Sequence, residues 1–126
     1  MTILDKIIAF KKKEIAKIKA EVPLKKLVES PSFGRTAFSL KKSLLEKGST
    51  GIIAEFKRQS PSKGIINDSA TIAEVTNGYL NANVAAQSIL TDTSFFGGTM
   101  ADLMEARVLN QQKPILRKDF IVDGFQ

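Results

Sequence analysis

Cysteine, histidine and tryptophan are absent from the 126 residues of this chain. Without cysteine there is neither a disulfide nor a thiolate nucleophile. Without histidine the chain lacks the usual neutral-pH base and the commonest metal ligand. We therefore expect no metal site and no cofactor, and we expect lysine and carboxylate side chains to carry any acid–base chemistry.

Long apolar stretches are also missing. No run approaches the roughly 18–20 uninterrupted apolar residues that a membrane helix requires. The start of the chain, Met-Thr-Ile-Leu-Asp-Lys, lacks the charged-then-apolar order of a secretory signal. With 43% hydrophobic and 25% charged residues, the composition is typical of one globular domain. We expect a cytoplasmic protein with no membrane partner.

Positive charge is in excess, with 19 Lys and Arg against 13 Asp and Glu and a net charge of +6. Such an excess invites a nucleic-acid interpretation, because Lys and Arg neutralise phosphates. However, many of the lysines precede residue 50 and alternate with Ile and Leu at helical spacing, which is typical of the solvated face of an amphipathic helix. These lysines are Lys6, Lys11, Lys12, Lys13, Lys17, Lys19, Lys25, Lys26, Lys41, Lys42 and Lys47. We expect no nucleic-acid partner, although a basic anion-binding or nucleic-acid-binding module remains an alternative.

Three apolar runs end in polar residues. The first lies in Ile52–Gly64, where alternation places Glu55 and Lys57 on the same face. The second run ends at Asp92, and the third ends with Lys118 and Asp119. A solvated edge strand would show the same alternation in the first run. The repetition of the pattern instead indicates strands whose carboxyl ends form a reaction site.

The segments between these strands have helical character. Residues 69–81 carry a loose apolar stripe with Ser69 as the expected N-cap, and residues 99–111 carry a clearer one. In the second segment, Thr99 and Asp102 have the spacing of a capping box. The stripe residues are Ile72, Val75 and Leu80, then Met100, Leu103, Met104 and Leu109. Strands alternating with helices of this length predict a parallel α/β sheet, with the site at the carboxyl ends of its strands.

Two further helices are predicted before the first strand. Thr2 and Asp5 cap the first, which ends by Val22 because Pro23 disfavours helical geometry in the residue before it. Its apolar face holds Leu4, Ile7, Ile8, Ile15 and Ile18. The second spans roughly residues 38–47, with Gly48 as its C′ residue. We expect residues 1–50 to form a helical extension and residues 51–126 to form a βαβαβ unit.

Three specific motifs follow one another along the chain. They are Ile-Ile-Ala-Glu-Phe-Lys-Arg-x-Ser-Pro-Ser-x-Gly at 52–64, Ser-Ile-Leu-Thr-Asp-x-x-Phe-Phe-x-Gly at 88–98, and Ile-Leu-Arg-Lys-Asp-Phe-Ile-Val-Asp at 115–123. In this order and spacing the chain closely resembles the indole-3-glycerol phosphate synthase family of tryptophan biosynthesis. The resemblance implies a TIM (β/α)₈ barrel, here as the N-terminal helical extension plus about three βα units, a partial barrel.

The resemblance also implies a lyase that closes the ring of 1-(2-carboxyphenylamino)-1-deoxyribulose 5-phosphate with loss of carbon dioxide and water. By position in the motifs, Lys118 matches the family's general acid. Lys57 matches a lysine that binds the substrate's anionic groups and that is alternatively a proton donor, and Glu55 matches the carboxylate that orients lysine and substrate. An ion pair that only stabilises the barrel interior is the alternative for Glu55 and Lys57.

Three further residues match substrate-binding positions of the family. Phe96 and Phe120 correspond to aromatic residues that flank the substrate ring, and Ser60 lies where the first loop approaches the substrate. Ordinary core packing is the alternative for the two phenylalanines. The departures from the family pattern are Gln59, where a smaller or basic residue is more usual, and Gly124, where a bulkier one is usual.

Several parts of the family's site lie beyond residue 126 by this resemblance. They are the general-base glutamate, an asparagine on a later strand and the phosphate cradle of the last two strands. We therefore expect little or no synthase activity from the 126 residues alone. A parallel sheet of three strands also has two unpaired edges. For this reason we expect the chain to be part of something larger and to self-associate, and a non-catalytic half-barrel is the alternative function.

Overall fold

The computed structural model describes all 126 residues and divides into two compact units. We call residues 1–36 with 120–126 the helical unit, and residues 37–119 the sheet unit. The helices are α1 (Ile3–Glu21), α2 (Leu24–Val28), α3 (Leu40–Leu45), α4 (Ile72–Asn81) and α5 (Met100–Leu109). The strands are β1 (Ile53–Phe56), β2 (Gln59–Ser60), β3 (Gly64–Ile65), β4 (Ala86–Leu90) and β5 (Ile115–Lys118).

The central feature of the sheet unit is a parallel sheet with the order β1-β4-β5. Glu55 pairs with Ser88, and Ser88 pairs with Leu116 on the other side. Every residue of β4 is buried. The predicted βαβαβ unit is confirmed, and the carboxyl ends of the three strands meet at one edge of the sheet.

One face of this sheet packs against α4 and α5. Its core consists of Phe56, Ile72, Ile89 and Ala106, with Ala70, Val75, Leu103 and Ile115 packed around it. Because successive strand side chains point to opposite faces, the burial of Phe56 places Glu55 on the face away from the helices. Glu55, the charged residue of β1, is thus kept out of the apolar core.

Helix α4 begins two residues later than the sequence predicted. Its N-cap is Thr71, whose hydroxyl accepts from the Glu74 amide while the Glu74 side chain accepts from the Thr71 amide. The prediction of Ser69 as the cap is wrong. The Ser69 amide and hydroxyl both donate to Asn67 Oδ1 at 3.0 Å. Ser69 therefore belongs to a turn, and the helix begins after it.

Helix α5 begins where predicted, with Thr99 and Asp102 in a reciprocal capping box. Its predicted apolar stripe is only partly correct. Met100 and Met104 are 46% and 67% exposed, whereas Ala106 is fully buried. The helix meets the core through Ala106 and Leu103, because the small alanine allows α5 to lie close to the sheet.

Helix α1 confirms the predicted capping box of Thr2 and Asp5 and the predicted end before Val22. Its buried face differs from the prediction, because Lys11 lies on it with Ile7 and Ile15. The Lys11 ammonium contacts Glu14 at 2.6 Å. Lys11 is 2% exposed and so does not belong to the solvated face to which it was assigned, a burial that its ion pair makes tolerable.

Other outer parts of the predicted α1 stripe are exposed, with Leu4 at 49% and Ile18 at 39%. The short helix α2 was not predicted. It starts directly after Pro23, which ends one helix and serves as the N-cap residue of the next.

Helix α3 is shorter than predicted, running from Leu40 to Leu45. Its C-cap is Glu46, so Gly48 is not the C′ residue; Gly48 instead adopts φ +83° in the following turn. A small antiparallel hairpin of β2 and β3 occupies the segment after β1, where the sequence predicted a loop. Two-residue strands are too short to show a period of two.

The predicted boundary near residue 50 between extension and barrel stays a prediction. None of the helices combines the length and the apolar character needed to cross a membrane.

Candidate active site

A carboxylate between two lysines lies at the carboxyl edge of the parallel sheet. Glu55 Oε1 is 3.1 Å from Lys57 Nζ, and Glu55 Oε2 is 3.3 Å from Lys118 Nζ. Lys57 follows β1 directly, and Lys118 is the last residue of β5. The structure thus brings together the three residues that the sequence singled out for catalysis, which we call the Glu55 cluster.

Neighbouring side chains hold Glu55 from two directions. The Ser88 hydroxyl donates to Glu55 Oε2 at 3.0 Å from the adjacent strand β4. The Tyr79 hydroxyl, on α4, donates to the Glu55 backbone carbonyl at 2.8 Å. Burial and then the negative charge of Glu55 raise the pKa of Tyr79, which keeps its proton available for this bond. The carboxylate is therefore fixed at both backbone and side chain.

The surroundings of Glu55 also decide its charge. Partial burial by itself raises the pKa of a carboxyl group. Hydrogen bonds from Lys57, Ser88 and Lys118 together outweigh that effect and leave the pKa of Glu55 below its usual value. Glu55 is consequently an anion throughout the neutral range, and it serves as a fixed acceptor for both ammonium groups.

The cluster is accessible from solvent on its lysine side. The side chain of Lys118 is 53% exposed and that of Lys57 is 35% exposed, whereas that of Glu55 is 27% exposed. Two ammonium groups and one carboxylate leave a local excess of one positive charge. Such an arrangement can bind an anionic group and can donate a proton to a carbonyl oxygen.

Phe96 lies beside this cluster, with its ring centroid 5.9 Å from Lys57 Nζ, within the range of a cation–π contact. The loop that carries it is held by Asp92, whose Oδ2 accepts from the amides of Phe95 and Phe96 at 2.8 and 3.2 Å. Gly98 fixes the end of this loop. A side chain there would bring Cβ within 2.0 Å of the Leu90 carbonyl oxygen.

Arg58 connects the end of β1 to the same loop. Its guanidinium forms a two-pronged ion pair with Asp102, in which Nη2 lies 2.9 Å from Oδ1 and Nη1 contacts Oδ2. Nη1 also donates to the Gly97 carbonyl at 3.3 Å, and the guanidinium carbon lies 4.8 Å from the centre of the Phe56 ring. The hydrogen bond that the guanidinium donates to Asp102 is the main reason that the pKa of Arg58 is raised. Arg58, which follows Lys57 in the chain, therefore ties the segment after β1 to the N-terminus of α5.

Ser60 and Phe120, the remaining predicted site residues, are placed differently. The Ser60 hydroxyl accepts from the Lys63 amide at 3.2 Å inside the β2–β3 hairpin. Phe120 belongs to the helical unit, where its carbonyl accepts from Gln126 Nε2 at 3.0 Å. The substrate-binding roles of Ser60, Phe96 and Phe120 stay predictions.

Three residues of the site, Ser88, Tyr79 and Arg58, were not predicted from the sequence. For Ser88 a signal was present, because a lone hydroxyl within an apolar strand occupies a position that an aliphatic residue would normally take. Tyr79 and Arg58 act through contacts that depend on helix packing, which the sequence does not specify. No group of three or more Asp and Glu side chains lies close enough together to hold a metal ion.

Comparison with known proteins places these residues in a family. A sequence model of the indole-3-glycerol phosphate synthase family matches residues 4–126. The chain is 45% identical over 124 residues to "Indole-3-glycerol phosphate synthase" of Bacteroides thetaiotaomicron, covering 98% of this chain and 47% of the relative. It is 40% identical over 124 residues to the protein of the same name from Caldanaerobacter subterraneus subsp. tengcongensis, with the same coverage.

A third relative of that name, from Burkholderia multivorans, is 39% identical over 126 residues, covering 98% of this chain and 48% of the relative. The chain thus spans about half the length of the curated relatives it matches. Members of this family have TIM barrels, and a parallel sheet of three strands flanked by helices is consistent with part of one. With a match that runs from residue 4 to residue 126, the chain belongs to the indole-3-glycerol phosphate synthase family.

Proposed function

We propose that the Glu55 cluster is the acid–base part of a site that makes indole-3-glycerol phosphate within a complete barrel. The substrate is 1-(2-carboxyphenylamino)-1-deoxyribulose 5-phosphate, a phosphorylated small molecule that also carries a carboxylate. The observation that carries the proposal is the placement of Lys57 and Lys118 on the two oxygens of one anchored carboxylate. No cofactor takes part in the proposed reaction.

Each member of the cluster has a role in this reaction. Lys118, the more exposed lysine, donates a proton to the substrate carbonyl while the aromatic ring attacks it. Lys57 binds an anionic group of the substrate, and Glu55 holds both ammonium groups in place. Phe96, next to Lys57, flanks the substrate ring. Ser60 and Phe120 complete the substrate contacts.

The 126-residue polypeptide by itself is proposed to have little or no turnover. It spans about half the length of its relatives. The Glu55 cluster contains two proton donors held by a carboxylate that is already engaged, so it offers no separate general base and no further phosphate contacts. A carbon–carbon lyase activity therefore requires the residues that the relatives carry in their other half.

The proposed roles can be tested in a chimera that joins residues 1–126 to the C-terminal half of the 45% identical Bacteroides thetaiotaomicron relative. We expect the chimera to form indole-3-glycerol phosphate, followed by fluorescence, and to support growth of a tryptophan auxotroph. Lys118→Met should lower kcat by about 100-fold or more, the usual contribution of a general acid.

Lys113→Met is the matched control, because Lys113 lies before the amino end of the same strand β5. Its kcat should stay within about twofold of the unmodified chimera, as expected of a surface substitution. Equal kcat values for Lys118→Met and the unmodified chimera would remove Lys118 from the mechanism. Substantial turnover by the 126 residues alone would contradict the need for the second half.

Self-association is a second candidate function, as a non-catalytic half-barrel, and one observation favours it. Strands β1 and β5 are each paired on one side only. On these edge strands Ile53 and Leu116 are 42% and 41% exposed. Unpaired edges with apolar neighbours are sites where a second chain adds strands. A basic anion-binding or nucleic-acid-binding module is the weaker alternative, and strong salt-sensitive binding to random-sequence DNA would favour it.

A further inference from the structure

Thr91, the first residue after β4, binds three consecutive residues at the end of β5. Its amide donates to the Lys118 carbonyl at 3.0 Å. Its hydroxyl donates to Asp119 Oδ2 at 2.7 Å and accepts from Arg117 Nε at 3.2 Å. Thr91 therefore holds Arg117 and Asp119 through its hydroxyl, and it holds the Lys118 backbone through its amide.

The two residues that Thr91 contacts through its hydroxyl, Arg117 and Asp119, also contact each other. Arg117 Nη2 lies 3.6 Å from Asp119 Oδ2, so the two residues that flank Lys118 are paired with each other as well as with Thr91. The Asp119 side chain is 3% exposed, and Thr91 is 6% exposed. Hydrogen bonds to charged groups at such buried positions are stronger than those between neutral groups, and they restrict movement.

Strand geometry relates this group to the Glu55 cluster. Arg117 lies two residues after Ile115, whose side chain packs in the core between the sheet and its helices, so the two share a face and Lys118 points to the opposite one. Fixing both neighbours of Lys118 fixes the direction in which its Cα–Cβ bond points. A long and half-exposed lysine side chain can adopt many rotamers. The direction of its Cα–Cβ bond decides which of these rotamers place the ammonium near Glu55.

We propose that Thr91 is a positioning residue that aims Lys118 at Glu55 and hence at the reacting atoms. The proposal rests on the proposed function, because Lys118 acquires its chemical meaning there. The hydroxyl is the essential part, since it acts as a donor to one flanking residue and as an acceptor from the other. Valine has the same shape without either capability, and serine keeps both.

The test measures the reactivity of individual lysines in the 126-residue chain, without substrate. The chain is treated with a limiting amount of an N-hydroxysuccinimide acetate reagent, and acetylation rates are read for each lysine by peptide mass spectrometry. A side-chain nitrogen engaged with Glu55 reacts slowly, because its contact with the carboxylate must break before the nitrogen can attack the reagent. In Thr91→Val we expect Lys118 to react about threefold faster, as suits the loss of a half-exposed ion pair.

Three comparisons make this result specific. Thr91→Ser should return the Lys118 rate to that of the unmodified chain. Glu55→Gln sets the rate of a Lys118 that has lost its carboxylate. Lys113, before the amino end of the same strand, reports any general loosening of β5. If Thr91→Val proves too unstable to fold, Asp119→Asn weakens the same group more mildly and should raise the Lys118 rate in the same direction.

Two results would overturn the proposal. One is an unchanged Lys118 rate in both Thr91→Val and Asp119→Asn. The other is a parallel rise at Lys113 and Lys118, which would mean that Thr91 only stabilises the strand. The outcome is independent of catalysis. An inactive chimera with Lys118 still responsive to Thr91 would refute the proposed function alone, whereas an active chimera with Lys118 indifferent to Thr91 would refute only this positioning role.

Discussion

Glu55 is the residue on which the candidate site depends, because three side chains donate to its carboxylate. The sequence predicted that Glu55 and Lys57 share a face, and the structure confirms it. The sequence could not predict that Lys118 reaches the same carboxylate. That contact depends on the register of β1, β4 and β5, and register across a parallel sheet is set by packing between segments distant in the chain.

The lowered pKa of Glu55 gives a prediction for pH dependence. A carboxyl group whose pKa is lower in the folded state stabilises the fold above its unfolded pKa, and this stabilisation is lost as pH falls through the folded pKa. We expect the difference in free energy of unfolding between the unmodified chain and Glu55→Gln to be constant near neutral pH and to shrink below the ordinary value of 4.5.

The titration of Glu55 can be observed directly through its side-chain carboxyl carbon by NMR. Its midpoint should lie below 4.5, and Ser88→Ala should move the midpoint upward, because the serine hydroxyl stabilises the charged form. A midpoint at or above 4.5 in the unmodified chain would show that burial, and not hydrogen bonding, dominates.

Among the features of the helices and strands, the N-termini of the helices are those that the sequence predicted best. Thr2 and Thr99 cap the helices assigned to them, because a capping box involves residues three apart and needs no tertiary contact. The start of α4 was missed since two candidate hydroxyls, Ser69 and Thr71, stand close together. The choice between them is made by Asn67, which engages the first of them in a turn.

This assignment predicts different effects for two similar substitutions. Thr71→Ala removes a true N-cap and should lower the free energy of unfolding by about 1 kcal/mol. Ser69→Ala removes an exposed hydroxyl within a turn and should change it by less than about 0.5 kcal/mol. Urea unfolding of both variants measures these changes. A larger loss of unfolding free energy from Ser69→Ala than from Thr71→Ala would identify Ser69 as the N-cap of α4.

Two glycines within different elements provide a second contrast. Gly98 allows the loop after β4 to touch the Leu90 carbonyl, whereas Gly78 lies inside α4 with nothing within 4 Å of an added Cβ. Gly98→Ala should lower the free energy of unfolding by at least about 2 kcal/mol, because backbone must move. Gly78→Ala should raise it by about 0.5–1 kcal/mol, because alanine suits a helix interior better.

Thermal or urea unfolding of the two alanine variants checks this contrast.

Sequence patterns did not reveal the small hairpin of β2 and β3, and they did not reveal the contacts of the Thr91 group. The hairpin is too short for periodicity, and the Thr91 group joins residues 26 to 28 positions apart. Local chemistry was therefore predictable, while contacts between elements were not.

At the scale of the whole molecule, our proposal that copies associate rests on the two open sheet edges, β1 and β5. We expect light scattering to give a mass larger than the 13.8 kDa of one chain at micromolar concentration. The net charge of +6 opposes association through repulsion, so added salt should shift the equilibrium toward the larger species.

A substitution can locate the contact. Leu116→Lys places a charge on the exposed edge strand β5 and should favour the monomer, while Lys47→Gln, outside any strand, should leave the mass unchanged. A mass of 13.8 kDa at all concentrations and salt conditions would exclude self-association through these edges.

The middle position of β4 bears on how the chain acquires its structure during synthesis. Ile53 pairs with Ala86, and Gln87 pairs with Ile115, so β4 is the partner of both an earlier and a later strand. Because translation delivers residues in order, β1 and β4 can meet with α4 between them before β5 leaves the ribosome. β5 can then join a pair of strands that already exists, and Lys118 is the last member of the Glu55 cluster to be synthesised. In the order of synthesis the Glu55 carboxylate therefore comes first, and the Lys118 ammonium comes last.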